Sequence, residues 1–207
     1  MRKKMKILVD DGHGKENIYK ASPDGKYKEW EWTCEMADLI VRELKRLGYD
    51  ANLLTPELED IPLNDRVRRA NRVCADYGKE NVIVLSVHSN ANSCDGKWHD
   101  GEWSGFTAVV APNASENSKL LADFIWARAI DAGLKGNRAV IEKPGKRYVV
   151  KSLAICRDTH CPAVLTESAF HDTHDGVKTL TEKKQTIMLV HVNGIIDYIN
   201  YLNSLKS

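Results

Sequence analysis

Four residues of this 207-residue chain carry groups that can hold a metal ion or move a proton: His13, Glu29, His88 and Glu167. Three of them close apolar runs, KILVDDGH, VIVLSVH and PAVLTE. In an open sheet covered by helices, ligands bind beyond the carboxyl ends of the strands. Residues that close such runs therefore meet along one edge. Two imidazoles and a carboxylate arriving there form a zinc-type ligand set, and a second carboxylate beside them supplies a base. The chemistry these residue types suggest is that of a metal hydrolase.

Each residue also has a plainer role open to it. His13 stands between Gly12 and Gly14, which let the backbone turn and leave the ring unobstructed, as in any turn histidine. The surrounding DDGHGK lacks the GxxxxGK[ST] spacing of a phosphate loop. His88 ends a near-continuous apolar run of the kind a buried parallel strand shows. Glu29 lies seven residues before Met36, on the stripe that Met36, Ile40, Leu44 and Leu47 define at about 100° per residue. A carboxylate on that buried stripe needs a cation. Glu31 is the alternative ligand if the helix starts late; with Glu35 it otherwise falls on the charged face. Glu167 ends CPAVLTE, where it serves either the shared site or a salt bridge with Arg66 or Arg157.

The elements that must position these groups alternate short β-rich runs with longer helical stretches. This is the pattern of a single α/β domain with a twisted, mostly parallel sheet flanked by helices. Strands are expected at Lys6–Asp10, Ala51–Leu54, Val82–Val87, Gly105–Ala111, Ala139–Ile141 and Ala163–Thr166. Helices are expected at Trp30–Leu47, Asn64–Tyr77, Ser115–Ala132 and Thr181–Leu202. Gly48 supplies a left-handed helix terminus, and Asn64 and Ser115 are N-cap candidates. Two polar loops, Gly14–Lys28 and Asn92–Ser104, flank the edge where the histidines fall.

Composition narrows the function classes. Thirty basic and 29 acidic residues give a formal charge of +1, so no global field attracts nucleic acid. The basic MRKKMK start is followed only by Ile7, Leu8 and Val9 before two aspartates, too short for an export signal, and nothing later can span a bilayer. Synthesis in the cytosol without an export tag is the expectation. Five cysteines form no regular framework and fit thiols in a reducing compartment; Cys156, His160 and Cys161 lack the partner cluster of a second metal site.

Taken in order, DDGHG, KEWEWTCEMADLIVRELKRLGYDANLLT, LNDRVRRAN, VIVLSVHSNAN and PAVLTESAF resemble the zinc-dependent N-acetylmuramoyl-L-alanine amidases of the amidase-3 type. The resemblance covers nearly the whole chain. It implies a phosphorylase/hydrolase-like α/β fold, one zinc bound by His13, Glu29 and His88, and Glu167 as the catalytic glutamate. The implied substrate is peptidoglycan, cut between muramic acid and L-alanine by a monomer that has no membrane association and no separate wall-binding domain. Action on a wall outside the membrane would then follow phage-type release from the cytosol or loss of a leader. Trp98, Trp103 and His99 are candidates to line the substrate groove or to pack their own surface loop, and Arg66 and Arg69 to meet stem-peptide carboxylates or to serve as structural partners on the second helix. The chain departs from the family in carrying KENIYKASPDGKYKEW after the first histidine and Phe170-His171-Asp172 near the last motif. Both departures bear on loops and fine specificity. A zinc peptidase acting on stem peptides and a non-catalytic wall-binding module are the competing functions.

Overall fold

Six strands form one sheet in the order β2-β1-β3-β6-β4-β5. They are β1 (Lys6–Asp10), β2 (Asp50–Leu53), β3 (Val82–Asn90), β4 (Thr107–Val110), β5 (Val149–Val150) and β6 (Ala163–Phe170). The computed structural model describes residues 4–101, 104–141, 145 and 147–205. All pairings are parallel except β4 with β6. Successive strand residues face opposite sides, and both sides are covered. Ile7 and Val9 join a core shared with α1 (Glu29–Arg46), α3 (Glu116–Asp131) and α7 (Lys184–Ser204). Leu8, between them, joins the core under α2 (Leu63–Tyr77) and α5 (Ala154–Arg157). Burial on both faces is why these strands read as apolar runs.

The sequence signals explain most of the helices. Met36, Ile40 and Leu44 are fully buried along α1. Gly48 takes a φ of +86°, and the Tyr49 and Gly48 amides bond back to the carbonyls of Leu44 and Lys45, closing α1 in a left-handed C-terminal turn. Ser115 caps α3 by accepting from the Ser118 amide at 3.1 Å.

Four expectations are corrected. Ala139–Ile141 belongs not to a strand but to α4 (Arg138–Ile141), because Asn137 accepts the Ala139 amide on its side chain and the Val140 and Ile141 amides on its carbonyl. The last strand of the sheet is instead the short β5. The final helix begins at Lys184, and Thr181 ends a separate helix, α6 (His174–Glu182), capped by Thr173. Asn64 lies inside α2, whose first turn starts from Pro62: that carbonyl accepts the Asp65 and Arg66 amides. Finally, β3 runs two residues past His88 and β6 three past Glu167, with a register irregularity between His88 and Asn90. These residues sit within the strands at the sheet edge rather than at their last position.

α3 and α7 pack so closely that a Cβ at Gly194 would lie 2.7 Å from the Ile125 Cα. An alanine in a helix normally stabilises by about 1 kcal/mol relative to glycine. Here the sign should reverse: Gly194→Ala is expected to destabilise by about 1–3 kcal/mol in denaturant melts.

Candidate metal centre

Three elements bring His13, Glu29 and His88 together. His13 leaves the end of β1 through Gly12, whose φ of +73° turns the chain. Glu29 is the first residue of α1. A two-stranded turn sets its position: Ala21 bridges Lys28, Ser22 bonds Asp24 and the Tyr27 carbonyl, and the Glu29 amide bonds the Lys20 carbonyl at 2.8 Å. His88 rises from β3 against Gly12, so close that a Cβ there would lie 2.4 Å from its Nε2. The two imidazoles meet edge to face, with centroids 4.8 Å apart.

Glu29 lies between them with its side chain 1% exposed. Its Oε1 accepts the Ser89 amide at 2.9 Å and stands 3.3 Å from His88 Nδ1. Its Oε2 is 3.6 Å from His13 Nε2 and 3.8 Å from Lys20 Nζ. Neither Glu29 Oε2 nor His13 Nε2 has a hydrogen-bond partner although both are buried. Ser89 is braced in turn by the Tyr27 hydroxyl and by His171 Nδ1, each 2.9 Å from its Oγ.

These donors fit a divalent cation. Nitrogen and oxygen bonds of about 2.0–2.2 Å at tetrahedral angles space donors about 3.3 Å apart. One donor atom from each of the three residues can be chosen so that all lie within 4.8 Å of one another. The protonation states of the two histidines differ: burial opposes charge on His88, but the hydrogen bond and charge of Glu29 raise its pKa. Burial lowers the His13 pKa to about 3, against the pull of Glu29, so its ring is neutral. Burial would raise Glu29, but the hydrogen bond and charge of His88, with Lys20 assisting, hold it at about 2.

Glu167 pairs across the strands with His88 and, on its other side, with Thr107. Burial raises its pKa to about 7, with His88 opposing and Glu29 assisting, and its Oε2 is buried without a partner. Neither Arg66 nor Arg157 pairs with it: Arg157 engages Asp158.

Among the acids of α1, Glu29 enters the cluster, whereas Glu31 is exposed and paired with Lys28. Arg66 does not face a substrate. Its side chain is 1% exposed, and Nη1 is held by Asp10 at 2.6 Å and Asp11 at 2.8 Å. Burial opposes its charge, and the two aspartates more than offset that. Arg69 is engaged by Glu57 through two 2.8 Å bonds. Trp98 stacks on His174 at 3.8 Å, and His174 is held by Asp100, so one indole face fastens the loop to α6. Trp103 lies outside the described residues. Tyr27 and Ser89 escaped the sequence reading, and His171 entered it only as a departure from the family pattern. The available signal was Ser89 beside His88, a polar residue that a buried edge must pair.

A His–Glu–His cluster with a perturbed carboxyl beside it, at the edge of a mostly parallel sheet, fits a metal-dependent hydrolase. Residues 7–197 match the N-acetylmuramoyl-L-alanine amidase family (Amidase_3), and the chain belongs to that family. It is 26% identical over 203 residues to an endolysin of Bacillus phage SPP1, covering 94% of this chain and 66% of the endolysin. Its fold is similar to that of an N-acetylmuramoyl-L-alanine amidase from Clostridium difficile 630, with TM-score 0.76, 20% identity and coverage of 95% and 97% of the two chains. It is likewise similar to the amidase Ami1 of Mycobacterium smegmatis, with TM-score 0.78, 16% identity and coverage of 95% and 97%.

Two outcomes are expected. Gly12→Ala should press its methyl into the His88 ring and weaken zinc binding at least about tenfold, measured by competition with a chromophoric chelator. In the metal-free protein the Glu167 carboxyl should titrate near pH 7 by 13C NMR. Added zinc should move that titration to lower pH, since a nearby cation favours the charged form.

Proposed function

We propose that the chain is a zinc-dependent N-acetylmuramoyl-L-alanine amidase. It hydrolyses the amide between the lactyl group of N-acetylmuramic acid and the L-alanine of the stem peptide in peptidoglycan. The observation that carries this reading is the pair of unpartnered buried atoms, His13 Nε2 and Glu29 Oε2, in a cluster beside the half-buried Glu167. Family membership and the endolysin relative supply the substrate class. His13, Glu29 and His88 would hold one zinc ion. When bound, zinc supplies Lewis acidity, drawing charge from the scissile carbonyl and lowering the pKa of water to about 7.

Glu167 moves the proton. Its carboxyl has a free oxygen and a pKa near neutrality, so it can take a proton from the attacking water and return it to the leaving amine. The Tyr27–Ser89–His171 brace holds the backbone that follows His88 in place. The enzyme acts on the cell wall as a monomer. Among the described residues no helix is long and apolar enough to cross a membrane. A peptidase cutting within stem peptides would use the same groups, and product chemistry separates the two. A proton carrier held near neutrality disfavours a purely binding module, which has no use for it.

Glu167→Ala is expected to keep its zinc while turnover falls about 10²–10⁴-fold. Mass spectrometry of digested peptidoglycan should find intact stem peptides with a free L-alanine amino group beside glycan strands that keep their lactyl carboxylates. Products cleaved inside the stem, or undiminished turnover by the variant, would overturn the assignment.

A further inference from the structure

We infer that Asp10 and Ser86 are positioning residues that fix the tautomer of His88 and so determine which of its nitrogens serves a metal. The inference rests on the reading of His13, Glu29 and His88 as the zinc ligands.

The argument follows the hydrogens. Asp10 and Ser86 are register partners on β1 and β3, and Ser86 and His88 are two apart on one face of β3. Asp10 Oδ1 is occupied by Arg66 Nη1 at 2.6 Å, and its Oδ2 lies 2.6 Å from Ser86 Oγ. A carboxylate paired with arginine only accepts, so the single serine hydrogen points to Asp10. The Ser86 oxygen, 3.1 Å from His88 Nε2, is then left to accept. The neutral His88 ring must then carry its proton on Nε2, which leaves Nδ1 bare. That bare nitrogen stands 3.3 Å from Glu29 Oε1, which already accepts the Ser89 amide. In the metal-free protein only a second proton on the ring can join the two, and a bound cation takes that proton's place.

The ring has no alternative seat. Turning it over about its Cβ–Cγ bond would set carbon against Ser86 Oγ, and Gly12 bars a sideways shift. The chain Arg66–Asp10–Ser86–His88 thus reaches from α2 across two strands to the cluster. Ser86 and Asp10 are almost fully buried, so no water competes for these bonds. Carboxylate–histidine–metal chains of this kind are worth about 10–100-fold in metal affinity.

The test reads the tautomer directly. In zinc-loaded wild-type protein labelled with 15N, long-range 1H–15N correlation should find His88 protonated at Nε2 and metal-shifted at Nδ1. Asp10→Asn is the discriminating variant. Arg66 still demands an acceptor, so the amide oxygen faces it and the new NH2 donates to Ser86. The serine hydrogen then turns to His88 Nε2, the proton moves to Nδ1, and zinc affinity should fall at least about tenfold. Ser86→Ala should weaken zinc about 10–100-fold without changing the tautomer of His13. Zinc on Nε2 of wild-type His88 would overturn the inference alone, and it needs no variant to fold. A wild-type protein that binds no zinc would overturn the zinc reading as well. Wild-type affinity in Ser86→Ala, or an unchanged tautomer in Asp10→Asn, would also sink it.

Discussion

Glu29 sits almost wholly buried between two imidazoles, with one oxygen unpartnered. A carboxylate in that place demands positive charge, and the surrounding architecture serves to keep it there. The turn from Lys20 to Lys28 sets where α1 begins, and the start of α1 sets where the carboxylate points. The Ser89 amide fixes one oxygen; the other is left for whatever completes the site. Shifting α1 by a single residue would rotate Glu29 by about 100° and put Lys28 or Trp30, not Glu29, against the histidines.

The second buried charge set works differently. Arg66 faces two aspartates, one of them, Asp11, with a pKa raised mainly by burial. Replacing such buried ion sets by apolar residues is often neutral for stability, so orientation explains their presence better than energy does. The guanidinium ties α2 to the loop that carries His13 and to the strand that carries Asp10. It is a structural cation for carboxylates of its own chain rather than a receptor for those of a substrate.

Much of this was legible because two-sided burial writes itself as apolar runs, which placed His88 and Glu167 at one edge. Helical phase separated Glu29 from Glu31 for the same reason. Arg66 was left open between substrate contact and structural partner, yet it shares the i, i+4, i+8 stripe with Ala70 and Cys74, both buried. Phase applied to α2 as it was to α1 would have turned it inward. Ala139–Ile141 could not be resolved that way, since a three-residue apolar run has no period. The separate helix at His174–Glu182 carries only Val177 and Leu180 as apolar landmarks, and its start depends on Thr173, a cap visible only once the break at Lys183 is known. The braces on Glu29 and His88 join residues up to 82 positions apart, a distance over which spacing carries no signal.

The cluster stands at the rim of a core that is already complete. Two layers of apolar side chains close on either face of the sheet without reference to His13, Glu29 or His88. Small zinc-nucleated domains collapse when their ion is stripped, because ligation is their folding energy. This chain belongs to the opposite regime. Its ion would be a late addition to a finished scaffold, gained or surrendered with the availability of metal outside the cell. A stripped molecule would persist as a folded, silent and rechargeable reserve.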